Sequence, residues 1–168
     1  NNRKMTEEAL LVSNKLNMAI LENSPIGISV RSTTGQLLSY NTAWKDIWNI
    51  SDSTIEEDKK RKRKELRFDQ RDAYFKPYQA DVRKVYEEGG SYYIPEMKTS
   101  KMKNGYPLWI SQHFYAITDT LGAVERVVIL TEDITERKHN EEVLKESEEK
   151  FRSYIEASPI AMFLVNDE

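Results

Sequence analysis

Three strand-like segments joined by two tight turns constrain the fold of this chain more than any other feature. Residues 91–102 lead to Asn104-Gly105, the dipeptide best suited to a two-residue hairpin, because both central positions of that turn need a positive φ. Residues 107–118 run to a second turn around residues 119–122. Residues 124–134, with Val124, Val127, Val128, Ile129 and Leu130, then complete an antiparallel meander.

The region before the meander supplies its cover. Ile26, Ile28 and Val30, a turn at Thr34-Gly35 and then Leu37-Leu38 read as strand, turn, strand. Asn41-Thr42 can cap a short helix with Trp44, Ile47 and Trp48 on one side. Tyr78, Val82, Val85 and Tyr86 share a face of a helix over about 77–88 that ends at Gly89-Gly90. The order is helix, β, β, short helices, helix, β, β, β, helix. It predicts an α+β fold: antiparallel pairing within a group of two strands and a group of three, helices on one face and an amphipathic helix at either end.

Those terminal helices have different patterns. Met5, Ala9, Val12, Leu16 and Ala19 alternate at spacings of four and three, a heptad seam on a helix of about 5–23 stopped by Pro25. Such a seam either pairs with a second copy, giving a homodimer, or docks on its own domain. The exit helix, about 135–156, is rich in Glu and Lys, with Leu144, Phe151 and Tyr154 as a thin apolar line. A repeat also appears: Glu22, Ser24, Pro25 and Ile26 recur as Glu156, Ser158, Pro159 and Ile160, about one small domain plus a linker later. The expected organisation is a helix over 1–23, a domain over 24–135, a linker helix over 136–156 and the truncated start of a second copy over 157–168.

Composition excludes several chemistries. With 25 Lys+Arg against 28 Asp+Glu the formal charge is −3, so no global field favours nucleic acid or a membrane surface. The chain has no Cys, which removes disulfides, thiolate metal sites, a cysteine nucleophile and any thiol-linked flavin or chromophore. Two His, His113 and His139, lie far apart in sequence, so no metal site is expected, and His139, in the charged exit helix, reads as a solvated position. No run approaches the ~20 apolar residues of a membrane span, and Asn1-Asn2-Arg3-Lys4 does not open a signal peptide. A cytoplasmic location is therefore expected.

The basic run Lys59-Lys60-Arg61-Lys62-Arg63-Lys64 would suit an anion or nucleic acid. It is equally explained by a solvated helix, because Glu56, Glu57 and Asp58 stand four residues before Lys60, Arg61 and Lys62. No aromatic interleaves the run, which weighs against nucleic acid. The junction after the last strand has its own local chemistry. Asp133 or Thr135 can accept from early N–H groups of the exit helix, and Glu136 stands three after Asp133 as in a capping box.

These motifs, in this order, resemble the PAS sensory domain with its PAC half, and the resemblance implies that both groups of strands join in one five-stranded antiparallel sheet with helices on one face. Lys103-Asn104-Gly105 followed by Trp109 is similar to that family's Lys-Asp-Gly…Trp hairpin, with Asn in place of Asp. Glu132-Asp133-Ile134-Thr135-Glu136-Arg137-Lys138 is similar to the Asp-Ile-Thr-Glu-Arg-Lys junction that closes many such domains. Leu21 to Gly27 resembles the opening segment, and residues 148–167 resemble the opening of another copy. The stretch 51–76 is longer and more basic than the family pattern and does not align with it.

The resemblance implies a non-catalytic sensory module of a multi-domain signal-transduction protein, by expectation a two-component sensor histidine kinase working in a phosphorelay. Its output domain would lie outside this chain, and the junction Asp133, Ile134, Thr135 and Glu136 would relay the signal. Such domains bind haem, flavin or small metabolites, or nothing. Haem is not expected, because the 77–88 helix, where haem-binding members commonly place their ligand, has no His. A small-molecule pocket would be lined by Trp44, Trp48, Tyr74, Phe75, Tyr78, Tyr86 and Phe114, although core packing explains each of them as well. A ligand-free homodimerisation module is the rival reading. An anion- or nucleic-acid-binding domain using 59–64 is the weaker one.

Overall fold

A computed structural model describes residues 2–69 and 72–158. The expected second repeat at 157–168 therefore lies, from residue 159 on, outside the described residues. In chain order the elements are α1 (Asn2–Asn23), β1 (Gly27–Ser32), β2 (Leu37–Tyr40), α2 (Thr42–Trp48) and α3 (Asp52–Lys60). A 3-10 helix (Ala73–Tyr78), α4 (Gln79–Glu88), β3 (Ser91–Lys103), β4 (Tyr106–Thr118), β5 (Val124–Asp133) and α5 (Thr135–Ala157) follow. The sheet has the order β2-β1-β5-β4-β3, with every neighbouring pair antiparallel. The fold is the expected α+β arrangement.

Local chemistry explains the meander. Asn104 and Gly105 have φ of 51° and 83°, the two positive values that match a two-residue turn to the right-handed strand twist. Pro95 sits in edge strand β3 where the register with β4 shifts between Ile94 and Met97, a place that tolerates a missing N–H. Alternation turns Leu108, Ile110, Gln112 and Phe114 of β4 inward, against Val82, Val85 and Tyr86 of α4. Leu37, Trp44 and Ile55 form a second, smaller core at the β2 end. There α2 lies hard on β1: a Cβ on Gly27 would stand 2.8 Å from the Trp44 Cα.

Asn41 does more than cap α2. Its Oδ1 accepts from the N–H groups of Trp44 (3.0 Å) and Ile28 (2.8 Å), while its Nδ2 donates to the carbonyls of Leu21 (2.8 Å) and Ile26 (2.9 Å). One buried amide thereby ties the end of α1, the start of β1 and the first turn of α2 together.

Three expectations change. Helix α3 stops at Lys60 with Arg61 as its C-cap, so the basic run leaves the helix and the expected i,i+4 pairs do not form. Asp58 instead holds Arg63 at 2.7 Å, and Lys59 reaches Glu56 at 3.7 Å, three residues back. The helix before the meander opens as a 3-10 turn containing Pro77, which puts Tyr78 ahead of the α4 face rather than on it. Finally, Glu136 makes no return bond to Asp133, so no capping box forms; Ile134 occupies the cap position.

Candidate functional site

A cavity of about 550 Å³ opens between the inner face of the sheet, α2, α3 and the segment leading to α4. Six of the seven aromatic candidates line it: Trp44, Trp48, Tyr74, Phe75, Tyr86 and Phe114. Tyr78 does not; it stands behind Phe75, ring centres 6.4 Å apart. Phe75 also meets Phe114 at 6.0 Å and Phe68 at 5.4 Å, so one wall is continuous aromatic surface. On the floor Gln112 donates from Nε2 to Thr131 Oγ1 at 3.2 Å.

The rim is charged, which the aromatic reading of the sequence misses. Arg31, on the inner face of β1, donates from Nη1 to the Gly35 carbonyl at 3.0 Å and lies 3.9 Å from Asp58 Oδ2. Its guanidinium carbon is 5.9 Å from the Trp44 ring centre. Arg63 turns in beside it and donates to Asp58 Oδ1 from Nη2. Burial pulls the Arg31 pKa below its ordinary value, against the opposing pull of Tyr86 and Asp58. Burial likewise raises the phenols of Tyr74, helped by Asp72, and of Tyr86. No sequence spacing announces the Arg31–Asp58–Arg63 cluster, because β1 and the end of α3 meet only in the folded chain.

Neither histidine faces this cavity. His113 lies between Gln112 and Phe114 on β4 and so points to the opposite face of the sheet. There it stacks between Tyr93 (5.1 Å) and Tyr115 (4.0 Å), its Nδ1 2.8 Å from the Tyr115 hydroxyl. The cavity thus offers no imidazole to a haem iron. His139, expected on a solvated face of the exit helix, is half-buried and stacks on Tyr106 at 4.3 Å. Among the described residues no cluster of His, Asp and Glu could hold a metal ion, and no helix is long and apolar enough to cross a membrane.

The second locus is the junction of β5 with α5. Ile134 is buried and its N–H donates to the Trp109 carbonyl at 2.9 Å. Thr135 Oγ1 accepts from the Trp109 N–H at 3.0 Å and donates to its carbonyl at 3.4 Å. Asp133 accepts from the Thr135 N–H at 3.0 Å and pairs with Lys103 beside the hairpin turn. From α5, Lys138 reaches Glu96 of β3 at 2.8 Å and lies over Trp109, 5.2 Å from its ring centre. The first turn of α5 is thus bolted to β3 and β4. Beyond it, Leu144, Phe151 and Tyr154 are exposed.

These carboxylates predict an acid response. Burial raises Asp133, but hydrogen bonds from Lys103 and Thr135 outweigh it and leave the pKa below its ordinary value. The Lys138 hydrogen bond lowers Glu96 in the same direction. Depressed carboxylates stabilise above their unfolded pKa of about 4 and lose that contribution as pH falls through the folded values. The indole resonance of Trp109 is therefore expected to titrate below about pH 4 as α5 loosens while the sheet amides stay put. A resonance that is constant there would show that these pairs do not hold the helix.

Helix α1 projects from the domain. Its last turn is tied down by Asn41 and by Glu22, whose carboxylate accepts from the Thr42 hydroxyl at 2.9 Å. Met5, Val12 and Leu16 of the expected seam, as well as Ala9 and Ala19, are exposed along it. So are Leu10, Leu11, Met18 and Ile20, which the heptad reading does not include.

Comparison with known proteins agrees with this geometry. Residues 16–85 match the family model described as a PAS domain. No curated protein matches the chain. Among solved structures, an RNA-binding light-oxygen-voltage receptor is similar at 16% identity and a TM-score of 0.60, over 83% of this chain and 38% of that one. A sensory box histidine kinase/response regulator from Burkholderia thailandensis E264 is similar at 20% identity and 0.53, over 81% and 97%. The PAS domain of an HTR-like protein from Haloarcula marismortui follows at 17% and 0.50, over 78% and 99%. At these identities the likeness is one of fold, and the chain spans little more than a third of the first of these proteins. The family match over residues 16–85 and the five-stranded sheet that completes the fold together give this chain a PAS-like fold.

Proposed function

We propose that this PAS domain is the sensory relay of a longer cytoplasmic signal-transduction protein, a sensor histidine kinase whose output domain follows α5. Occupancy of the cavity, or a partner, shifts the packing of the sheet and biases α5, while α1 pairs with a second copy. The module over 24–135, the linker helix over 136–156 and a second PAS-like copy from 157 are parts of the same proposal.

The observation that carries the reading is the direct passage of β5 into α5. β5 lies between β1 and β4, so it feels both halves of the sheet. It enters α5 through one buried residue, Ile134, and one threonine bonded to both backbone groups of Trp109. A shift in β4 or β5 is passed to the helix axis with little slack. A ligand moves such an equilibrium only by its differential affinity for the two states.

The test removes the coupling and keeps the shape. Thr135→Val deletes the hydroxyl at Trp109 without changing the side-chain outline. Grafted upstream of a histidine kinase core, this variant is expected to change basal output about fivefold or more, the usual size of an inter-site coupling. Output indifferent to Thr135→Val and to Asp133→Ala would remove the relay.

A further inference from the structure

We infer that the cavity takes a small carboxylate, its anionic end held between Arg31 and Arg63 and its apolar body against Trp44, Tyr74 and Phe75. The assignment rests on the reading of this cavity as the sensory pocket, and it names the ligand class that pocket admits.

The argument is one of unmatched donors. Two guanidinium groups, each about three-quarters or more withdrawn from solvent, share the single carboxylate of Asp58. Their donors outnumber the two oxygens that this carboxylate presents to them. The Arg63 Nε–H is buried and has no acceptor among the described residues. Arg31 spends one close hydrogen bond on the Gly35 carbonyl and holds Asp58 only at 3.9 Å, so most of its fork is unused. A planar guanidinium fork matches the two oxygens of a carboxylate.

The rest of the wall limits what carries that carboxylate. Opposite the arginines the surface is aromatic, with the ring of Phe75 packed against Phe114, and it suits a flat apolar body. Charge decides between carboxylate and phosphate. Glu57, Asp69 and Asp72 stand on the same cavity. With Arg61 and Arg67 the lining sets four arginines against these three carboxylates and Asp58, so a dianion would add two charges to a balanced wall where a monoanion adds one.

The experiment uses the whole chain with three probes: benzoate, its neutral isostere benzamide, and inorganic phosphate. Benzoate is expected to raise the melting temperature and quench the fluorescence of Trp44 and Trp48 at millimolar concentration, the range such a small probe can reach. Benzamide and phosphate are expected to do neither. Arg63 lies in a loop outside the sheet, so Arg63→Gln is expected to fold, with far-UV circular dichroism as the check, and to lose tenfold or more in benzoate affinity. Asp58→Asn, which frees both guanidinium groups, is expected to bind benzoate several times more tightly; a purely structural cluster would give no gain.

Equal responses to benzoate and benzamide would overturn the carboxylate assignment while leaving a pocket in place. A preference for phosphate, no response to any probe, or benzoate binding indifferent to Arg63→Gln would also overturn it. None of these results bears on Thr135→Val, so loss of the relay and loss of the ligand class are told apart.

Discussion

Replacing Asn41 by alanine is expected to destabilise the domain by about 3–5 kcal/mol, a large part of the ~5–15 kcal/mol that holds a domain of this size. The helix cap contributes about 1 kcal/mol of that loss. The remainder comes from the N–H of Ile28 and the carbonyls of Leu21 and Ile26, part-buried groups that lose their partner at about 1 kcal/mol each, the low end for an orphaned group. Asn41→Asp refines the test. It keeps the acceptor for Trp44 and Ile28 but sets a carboxylate against two carbonyls, so it is expected to be no milder than alanine. Urea denaturation measures both. A loss under about 1 kcal/mol for alanine would reduce Asn41 to an ordinary cap.

The second large effect concerns assembly. If α1 pairs with a second copy, Val12→Glu with Leu16→Glu is expected to abolish the dimer without touching the sheet, because neither residue packs on the domain. Each buried valine or leucine contributes about 1.5 kcal/mol or more, and two copies lose four of them. That is about 6 kcal/mol, or four decades in Kd, before the repulsion of the new carboxylates is added. Sedimentation of wild type and variant reads the result directly. Dimers that persist would remove the seam of Met5, Ala9, Val12, Leu16 and Ala19 and move attention to Leu11 and Met18 on another side of the same helix.

What could be read from sequence divides by range. The hairpin at Asn104-Gly105 and the cap at Asn41 are legible because positive φ and a side-chain acceptor are local demands. The antiparallel meander follows from neighbours in the chain. The adjacency of β1 and β5 does not: no local pattern pairs Gly27 with Thr131, and only the family resemblance implied that closure. The cavity divides in the same way. Its aromatic wall was readable because large rings at helical and strand spacing must go inward. Its charged half was not, since Arg63 reads as one member of a solvated run until α3 ends at Lys60 and the chain turns back. The pairing of charges by helical spacing failed for Arg61 and Lys62 because the helix ends before them, and for Lys60 because Glu56 turns to Lys59. His139 misleads in a related way, because its ring meets Tyr106 across the start of β4, a contact invisible from the Glu- and Lys-rich helix around it.

The placement of β5 at the centre of the sheet also sets the order in which the domain can be made. Strands β1 and β2 leave the ribosome about a hundred residues ahead of β5, the strand β1 must pair with. Until β5 is synthesised, the early hairpin keeps an open edge, and the cavity has no floor on that side. Closure over so long a loop is slow, and a half-made chain exposes Leu37, Trp44 and Ile55 to whatever is nearby. The last strand is therefore the keystone: during synthesis, the segment that passes directly into α5 is also the one that first makes this domain whole.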